Sequence, residues 1–226
     1  TGVDPKKVSE KGQALKLALA LEQEQNVGFG IDLGYVTIDV PKTPDQRYYV
    51  DAGTLWQGWT RPTDALAAPL GEDRFGKTVE FSFSSANSPH LLVGGTTGSG
   101  KSEALNTLLF GMARHYSPAE LRLLLVDPKG TELLLFADSL HLEGDIGWDD
   151  ADALALLQRA VAEMQRRYAL FKAAGKRTLA EYNVGLSQPD RLPWWLVVLD
   201  EYADLTHDPQ AKKEIEQELR RLAQKA

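Results

Sequence analysis

The sequence predicts an α/β fold with a mainly parallel sheet. Residues 95–102 read Gly-Thr-Thr-Gly-Ser-Gly-Lys-Ser and stand between a short apolar run, 90–93, and a stretch with apolar residues at helical spacing. Two further runs, 122–126 and 192–199, are almost continuously apolar, as strands buried on both faces of a parallel sheet are. Residues 149–173 place apolar side chains at three- and four-residue steps, which predicts a long helix packed against the core.

A small mixed α/β domain is expected ahead of this core. Residues 5–24 carry a broad apolar face and predict a helix. Residues 35–41 alternate as a strand, with 48–50 as the expected partner, and a hairpin is expected across 70–83. A last, highly charged helix is expected over 209–226, with its charged face in solvent.

These patterns predict two domains. Residues 1–85 form the small α/β domain and residues 86–226 form the core. The stretch 84–89 is the expected join between them.

Composition narrows the classes of protein that need considering. The 226 residues are 43% hydrophobic and 25% charged, as in ordinary globular proteins. We expect no secretory leader and no membrane segment in this stretch, since no apolar run approaches about 20 residues. The absence of cysteine excludes disulfides and thiolate metal sites and fits a cytoplasmic location, and the four dispersed histidines show no metal-ligand spacing.

Residues 95–102 form a complete G-x-x-x-x-G-K-[ST] phosphate loop in the required strand–turn–helix context. Its glycines let the backbone N–H groups turn towards phosphates, and the helix opening at Lys101 adds its positive end. The Lys101 ammonium is expected to reach the β- and γ-phosphates, and the Ser102 hydroxyl to hold Mg²⁺. The alternative is a glycine-rich turn without a ligand. The predicted cofactors are ATP and Mg²⁺, and the predicted nucleotide-binding residues are Gly95, Thr96, Thr97, Gly98, Ser99, Gly100, Lys101, Ser102 and Glu103.

Two carboxylates, Asp200 and Glu201, follow the apolar run 192–199. The carboxyl end of a parallel strand is where such sheets bind ligands. We expect Asp200 to anchor Mg²⁺ and Glu201 to polarise the water that attacks the γ-phosphate, so Lys101 and Glu201 are the predicted catalytic residues. The alternative is a helix cap or a solvated pair. A glutamate in this position separates the chain from kinases and small GTPases and indicates a motor-type ATPase with a RecA-like core.

The segment Asp127-Pro128-Lys129 ends the apolar run 122–126. Asp127 and Lys129 either approach the nucleotide or a subunit boundary, or belong to a tight Asp-Pro turn. We expect substitution of Asp127 to impair catalysis more than folding.

Taken together, the motifs resemble the FtsK/SpoIIIE family of DNA-translocating ATPases, in the wider HerA–FtsK class. The resemblance covers roughly residues 67–226 and is carried by the stretches 90–102, 122–129, 132–133, 164–168, 177–183, 197–205 and 221–226.

The resemblance implies a hexameric homo-oligomer that hydrolyses ATP between subunits and moves double-stranded DNA through pore loops. A net charge of −7 does not conflict with this, because such rings confine their phosphate contacts to those loops. One alternative is an FtsK-like ATPase of a protein secretion system that acts on polypeptides, and another is a nucleotide-binding scaffold that does not hydrolyse ATP.

The resemblance also implies a sensor strand between the phosphate-loop strand and the strand that ends at Asp200. No apolar run after Glu201 supplies that strand, so we expect the core to be truncated at its C-terminal side and these residues to belong to a longer polypeptide. As an isolated monomer the stretch is expected to hydrolyse ATP poorly.

Overall fold

The structure is a computed structural model. It describes residues 4–22, 25–32, 34–84, 89–96 and 98–225. Contacts divide the chain into two compact units, Thr1–Val50 and Asp51–Ala226. Within the described part of the chain, no helix combines the length and the apolar character needed to cross a bilayer.

The first unit contains two short helices and a hairpin. They are α1 (Pro5–Ser9), α2 (Gly12–Ala18), β1 (Gly28–Asp32) and β2 (Tyr35–Asp39). The prediction of one helix over 5–24 is wrong, since the helix is interrupted just before Gly12, a residue that weakens helix interiors. The predicted pairing of the strand at residues 35–41 with residues 48–50 is also wrong. β2 pairs antiparallel with β1, because a tight turn with Gly34 at a φ of 83° brings these neighbours together.

The second unit contains four strands and five α-helices among the described residues. They are α3 (Ala52–Gly58), β3 (Ala67–Glu72), β4 (Thr78–Ser82), α4 (Lys101–His115), β5 (Leu121–Val126), α5 (Asp150–Ala173), α6 (Leu179–Asn183), β6 (Trp194–Leu199) and α7 (Pro209–Lys225). The predicted hairpin is confirmed as antiparallel β3–β4. The predicted strands near 122–126 and 192–199 and the long helix near 149–173 are confirmed as β5, β6 and α5.

β5 is the central strand of the unit. It pairs in parallel with β6, from Leu121 opposite Trp194 to Val126 opposite Leu199. On its other edge it makes parallel bridges to residues 142 and 147, with backbone hydrogen bonds of 2.8–2.9 Å. β5 therefore has backbone hydrogen-bond partners on both edges, which explains why five of its six residues are apolar and buried, with Arg122 as the exception.

The two faces of β5 enter two different hydrophobic cores. Leu121, Leu123 and Leu125 pack with α4 and β3 on one face. Leu124 and Val126 pack with α5 and α7 on the other. This alternation makes the unit a mixed α/β layer structure around a parallel strand pair.

The last helix is more than a solvated element. Its buried Ile215 and its half-buried Leu219 and Leu222 recur at helical spacing and join the core formed with α5. The expected charged face remains, but the helix also closes one side of the sheet.

Residues 51–84 pack on the same core as the strand pair, so the boundary between compact units falls at residue 50 and not near residue 85. Trp56, Leu66 and Ala68 are at most 5% exposed within that core. The Tyr116 hydroxyl, at the end of α4, accepts from the Ala67 N–H at 3.1 Å and donates to the Ala67 carbonyl at 3.0 Å. These contacts tie β3 to the helix that follows the phosphate loop.

The predicted buried strand over 90–93 is wrong. Residues 91–93 are exposed, with Leu92 at 96%, and they belong to no strand pair among the described residues. A strand exists only where its backbone groups find a ladder partner, and β6 is paired on one side only, with β5, in the described sheet. Residues 91–94 do not pair with 195–199, and the expected intervening strand stays a prediction.

Replacing Gly111 of α4 with alanine is predicted to destabilise the fold. A Cβ at this position would lie 1.9–2.4 Å from the indole of Trp56, which packs directly on the helix backbone. Although alanine favours a helix by about 1 kcal/mol over glycine, we expect Gly111→Ala to lower the free energy of unfolding by roughly 1–3 kcal/mol through overpacking. Thermal unfolding measures this.

Gly58→Ala is the matched control, since Gly58 also lies in a helix and a Cβ there meets nothing within 4 Å. We expect it to leave stability unchanged or slightly higher. Equal melting temperatures for wild type and Gly111→Ala would contradict the packing of Trp56 on α4.

Candidate phosphate-loop site

In its described part, the loop before α4 has glycines at positions that disfavour a side chain. Gly98 and Gly100 adopt φ angles of 79° and 88°, a left-handed region that favours glycine. A Cβ on Gly95 would lie 2.2 Å from the Ser99 hydroxyl, so this close approach also requires glycine. Thr97 lies outside the described residues.

The N-terminal end of α4 has no side-chain cap and follows exposed residues. Gly100 is the N-cap and has no side chain that could cap the helix, and residues 98–100 are exposed. The first backbone N–H groups of a helix lack partners within the helix and carry its positive dipole end. Lys101 and Ser102 are partly buried in this turn, whereas Glu103 is exposed.

The structure brings Lys101 and Asp200 into direct contact. The Lys101 ammonium donates to the Asp200 carboxylate, although the two residues are 99 positions apart in sequence. Asp200 is 3% exposed, and its N–H continues the β6 ladder by bonding to the Val126 carbonyl at 2.9 Å. Hydrogen bonding to Asp200 raises the pKa of Lys101 above its ordinary value, against the opposing effect of burial. The ammonium is therefore charged at neutral pH.

Glu201 lies one residue further along and makes a different contact. Its backbone has a φ of 42°, which is uncommon for a residue other than glycine. Its carboxylate accepts a hydrogen bond from the Lys129 ammonium at 3.2 Å. The sequence-predicted lysine and aspartate thus meet directly, whereas Glu201 stands beside them at the same sheet edge.

Asp127 has a structural role. Its fully buried carboxylate accepts from the N–H groups of Gly130, Glu132 and Leu133 at 3.0, 2.8 and 2.9 Å. Gly130, at a φ of 66°, completes a turn with proline in its second position. Of the two interpretations left open by the sequence, the structure supports the tight turn.

The contacts of Lys129 with Glu201 and Asp204 were not predicted from the sequence. Its ammonium lies 3.2 Å from a Glu201 oxygen and 3.5 Å from an Asp204 oxygen. The Asp-Pro turn after β5 predicts a loop there, but no sequence spacing indicates which residues after β6 face it. Only the register of the two strands decides that.

A glycine loop that opens a helix beside a parallel strand ending in carboxylates is the arrangement of a P-loop protein. The model of the FtsK/SpoIIIE family matches residues 56–226, and the chain belongs to this family.

Two relatives agree with this assignment over most or all of the chain. The chain is 34% identical to a protein named DNA translocase FtsK from Lactiplantibacillus plantarum, over 100% of this chain and 29% of that protein. It is 35% identical to a protein of the same name from Campylobacter jejuni, over 84% of this chain and 20% of that protein. The chain therefore spans less than a third of the length of these relatives.

Two solved structures are similar. The pCW3 conjugation coupling protein TcpA, in a monomer form with ATPγS, aligns with a TM-score of 0.65 at 21% identity, over 99% of this chain and 61% of that one. The cytoplasmic domain of the type VII secretion ATPase EccC from Thermomonospora curvata aligns with a TM-score of 0.58 at 28% identity, over 78% of this chain and 22% of that one. The first likeness bears on the fold alone.

Asp127→Ala is predicted to destabilise the fold before it affects catalysis. It leaves three backbone N–H groups without their acceptor, and each unmet buried group costs about 1–3 kcal/mol. We expect a loss of roughly 3 kcal/mol or more, which corresponds to a melting temperature lower by roughly 6–12 °C for a chain of this size.

Asp138→Ala, at an exposed aspartate of the same segment, is the control and should unfold like wild type. Asp127→Asn should lose less, because one acceptor oxygen remains. If Asp127→Ala melts at the wild-type temperature but loses activity, Asp127 acts in catalysis and not in the turn.

Proposed function

We propose that this chain is the ATP-hydrolysing motor domain of a DNA-translocating protein, built on a RecA-like core. The observation that carries the proposal is the contact between Lys101 and Asp200. It joins the phosphate-loop lysine to the strand-end aspartate in a chain of the FtsK/SpoIIIE family. Named relatives at 34–35% identity are DNA translocases, which supports DNA as the substrate.

The residues of the site fit a nucleoside triphosphate. The glycine backbone and the first turn of α4 offer N–H donors to phosphate oxygens. Lys101 would exchange part of its contact with Asp200 for the β- and γ-phosphates, since an ammonium has three donors. The nucleotide-binding residues predicted from the sequence, 95–103, are retained in this proposal.

The donor set also fits Mg²⁺. Among the described residues no three acidic or histidine side chains cluster as a metal site. Mg²⁺ needs no such cage, since it is held by one or two protein oxygens together with phosphates and water. Ser102 and Asp200 would supply those oxygens, and the metal would neutralise charge on the β- and γ-phosphates.

In this proposal Asp200 and Glu201, at the end of β6, have different roles. The buried Asp200 belongs to the binding site, whereas the more exposed Glu201 polarises the attacking water. Assembly as a homo-oligomer, hexameric in the family resemblance, and double-stranded DNA in its pore form part of the same proposal. The DNA-contacting loops are not assigned to residues of this chain.

A second candidate is an ATPase that acts on polypeptides. The likeness to the secretion ATPase EccC, at 28% identity, favours it. The higher identity to proteins named DNA translocases, over the full chain, supports the first candidate more strongly.

Stimulation by DNA distinguishes the two. The native full-length polypeptide should hydrolyse ATP several-fold faster with linear double-stranded DNA, and the stimulation should weaken as salt rises, because phosphate contacts release counterions. Phosphate release assays with DNA, with an unfolded polypeptide and with neither measure this. Stimulation by polypeptide alone would contradict DNA as the substrate.

Lys101→Ala and Glu201→Gln should fail at different steps. Removing the Lys101 charge should weaken ATP binding by roughly tenfold or more and abolish hydrolysis. Glu201→Gln should leave ATP affinity nearly unchanged and lower hydrolysis by about 10²–10⁴-fold, since it deletes the general base. Equilibrium titration with a fluorescent ATP analogue and single-turnover hydrolysis separate the two effects. Loss of nucleotide binding in Glu201→Gln would make Glu201 structural.

A further inference from the structure

Lys129 stands at the junction of the two strand ends. It lies three residues beyond the end of β5, and Glu201 lies two residues beyond the end of β6. Since Val126 and Leu199 are parallel neighbours, both segments emerge at the same sheet edge. The Lys129 ammonium donates to the Glu201 carboxylate at 3.2 Å and lies 3.5 Å from the Asp204 carboxylate.

The backbone at Lys129 is fixed, although the side chain of this residue is half-exposed. The preceding Asp127 is fully buried and binds three backbone N–H groups, so the turn that carries Lys129 cannot move without breaking them. Because the backbone that carries Lys129 is already ordered, the ion pair with Glu201 has to order only the two side chains and not a mobile loop as well.

Glu201 is restrained from its own side as well. Its φ of 42° costs free energy for a residue with a Cβ, so the surrounding contacts must hold it there. The Glu201 carbonyl accepts from the Asp204 N–H at 2.9 Å, which closes the loop after β6 into a turn. Asp204 itself meets His207 at 3.5 Å and Lys129 at 3.5 Å. The Glu201 carboxylate is thus directed by a backbone turn and anchored by one cation.

The two cations of the site have separate partners. Lys101 contacts Asp200, and Lys129 contacts Glu201. Hydrogen bonding to Glu201 raises the pKa of Lys129, so this ammonium is charged throughout the neutral range. Phosphates can draw Lys101 from its partner without releasing Glu201, because Glu201 is held from the other strand end.

We propose that Lys129 is a positioning residue for ATP hydrolysis: from the turn after β5 it anchors the carboxylate of Glu201, with Asp204 as its second contact. The inference rests on the proposed function, since it assigns Glu201 the role of polarising water. Lys129 acts through Glu201: within the described part of the chain its hydrogen bond and ion pairs are with Glu201 and Asp204, and none is with residues 95, 96 or 98–103. Its removal should therefore lower kcat and leave nucleotide affinity unchanged.

The test is a double-mutant cycle in the native full-length polypeptide. Lys129→Met should lower single-turnover hydrolysis by roughly 10–100-fold, the cost of a misplaced catalytic group. ATP affinity, measured with a fluorescent analogue, should stay within about twofold of wild type. In the Glu201→Gln background the same substitution should cause almost no further loss, because no carboxylate is left to position.

Two further variants separate positioning from a general structural effect. Lys129→Arg keeps a cation within reach of Glu201 and Asp204 and should recover most of the rate lost in Lys129→Met. Lys172→Met, at an exposed lysine in the last turn of α5, is the matched control and should hydrolyse ATP like wild type.

Each remaining outcome overturns a specific statement. A native rate in Lys129→Met, or an equal loss in both backgrounds, overturns the positioning role while the proposed function stands. Loss of ATP affinity in Lys129→Met assigns the residue to binding and also overturns it. If wild type and Lys101→Ala show the same hydrolysis, the proposed function fails and the inference fails with it.

Discussion

The parallel register between β5 and β6 is the constraint on which the site depends. It places Val126 beside Leu199, so the segments that follow both strands leave the sheet at one edge. Asp200 extends the ladder by one hydrogen bond before the chain turns away, which is why its carboxylate is buried and fixed. A shift of the register by one residue would exchange the two faces of β6 and move Asp200 away from Lys101.

Packing then fixes the phosphate loop relative to that edge. α4 lies on the core formed by Leu121, Leu123 and Leu125, and Trp56 rests against the helix at Gly111 without a side chain between them. Because a helix is stiff along its axis, anchoring its C-terminal half also places its first turn. Lys101 therefore meets Asp200 from a neighbouring element, although no local sequence signal links the two residues.

Charged side chains at the carboxyl ends of β5 and β6 form ion pairs. Each of the two ammonium groups has a carboxylate partner, Asp200 for Lys101 and Glu201 for Lys129. Removing the cation from Asp200 would destabilise the fold more than removing the cation from Glu201. Asp200 is buried, and a desolvated charge is unfavourable without a counter-ion. An anionic ligand at the first turn of α4 would change the partner of Lys101 while the second pair stays in place. This division explains how one edge can provide a binding cation and a separately held carboxylate.

Much of the second unit followed from the sequence by itself. The G-x-x-x-x-G-K-[ST] spacing, the continuous apolar runs and the helical periodicities predicted the loop, β5, β6, α4 and α5, because glycine tolerance of positive φ and apolar periodicity act locally. The same local signals failed for residues 91–93, where a strand needs a ladder partner, and for residues 5–24, where apolar content concealed a break. The tertiary structure alone decided that Asp127 supports a turn, that residues 51–84 belong with the core, and that Lys129 reaches Glu201. Those three features depend on strand register and helix packing, which join residues distant in sequence and leave no periodic trace in the chain.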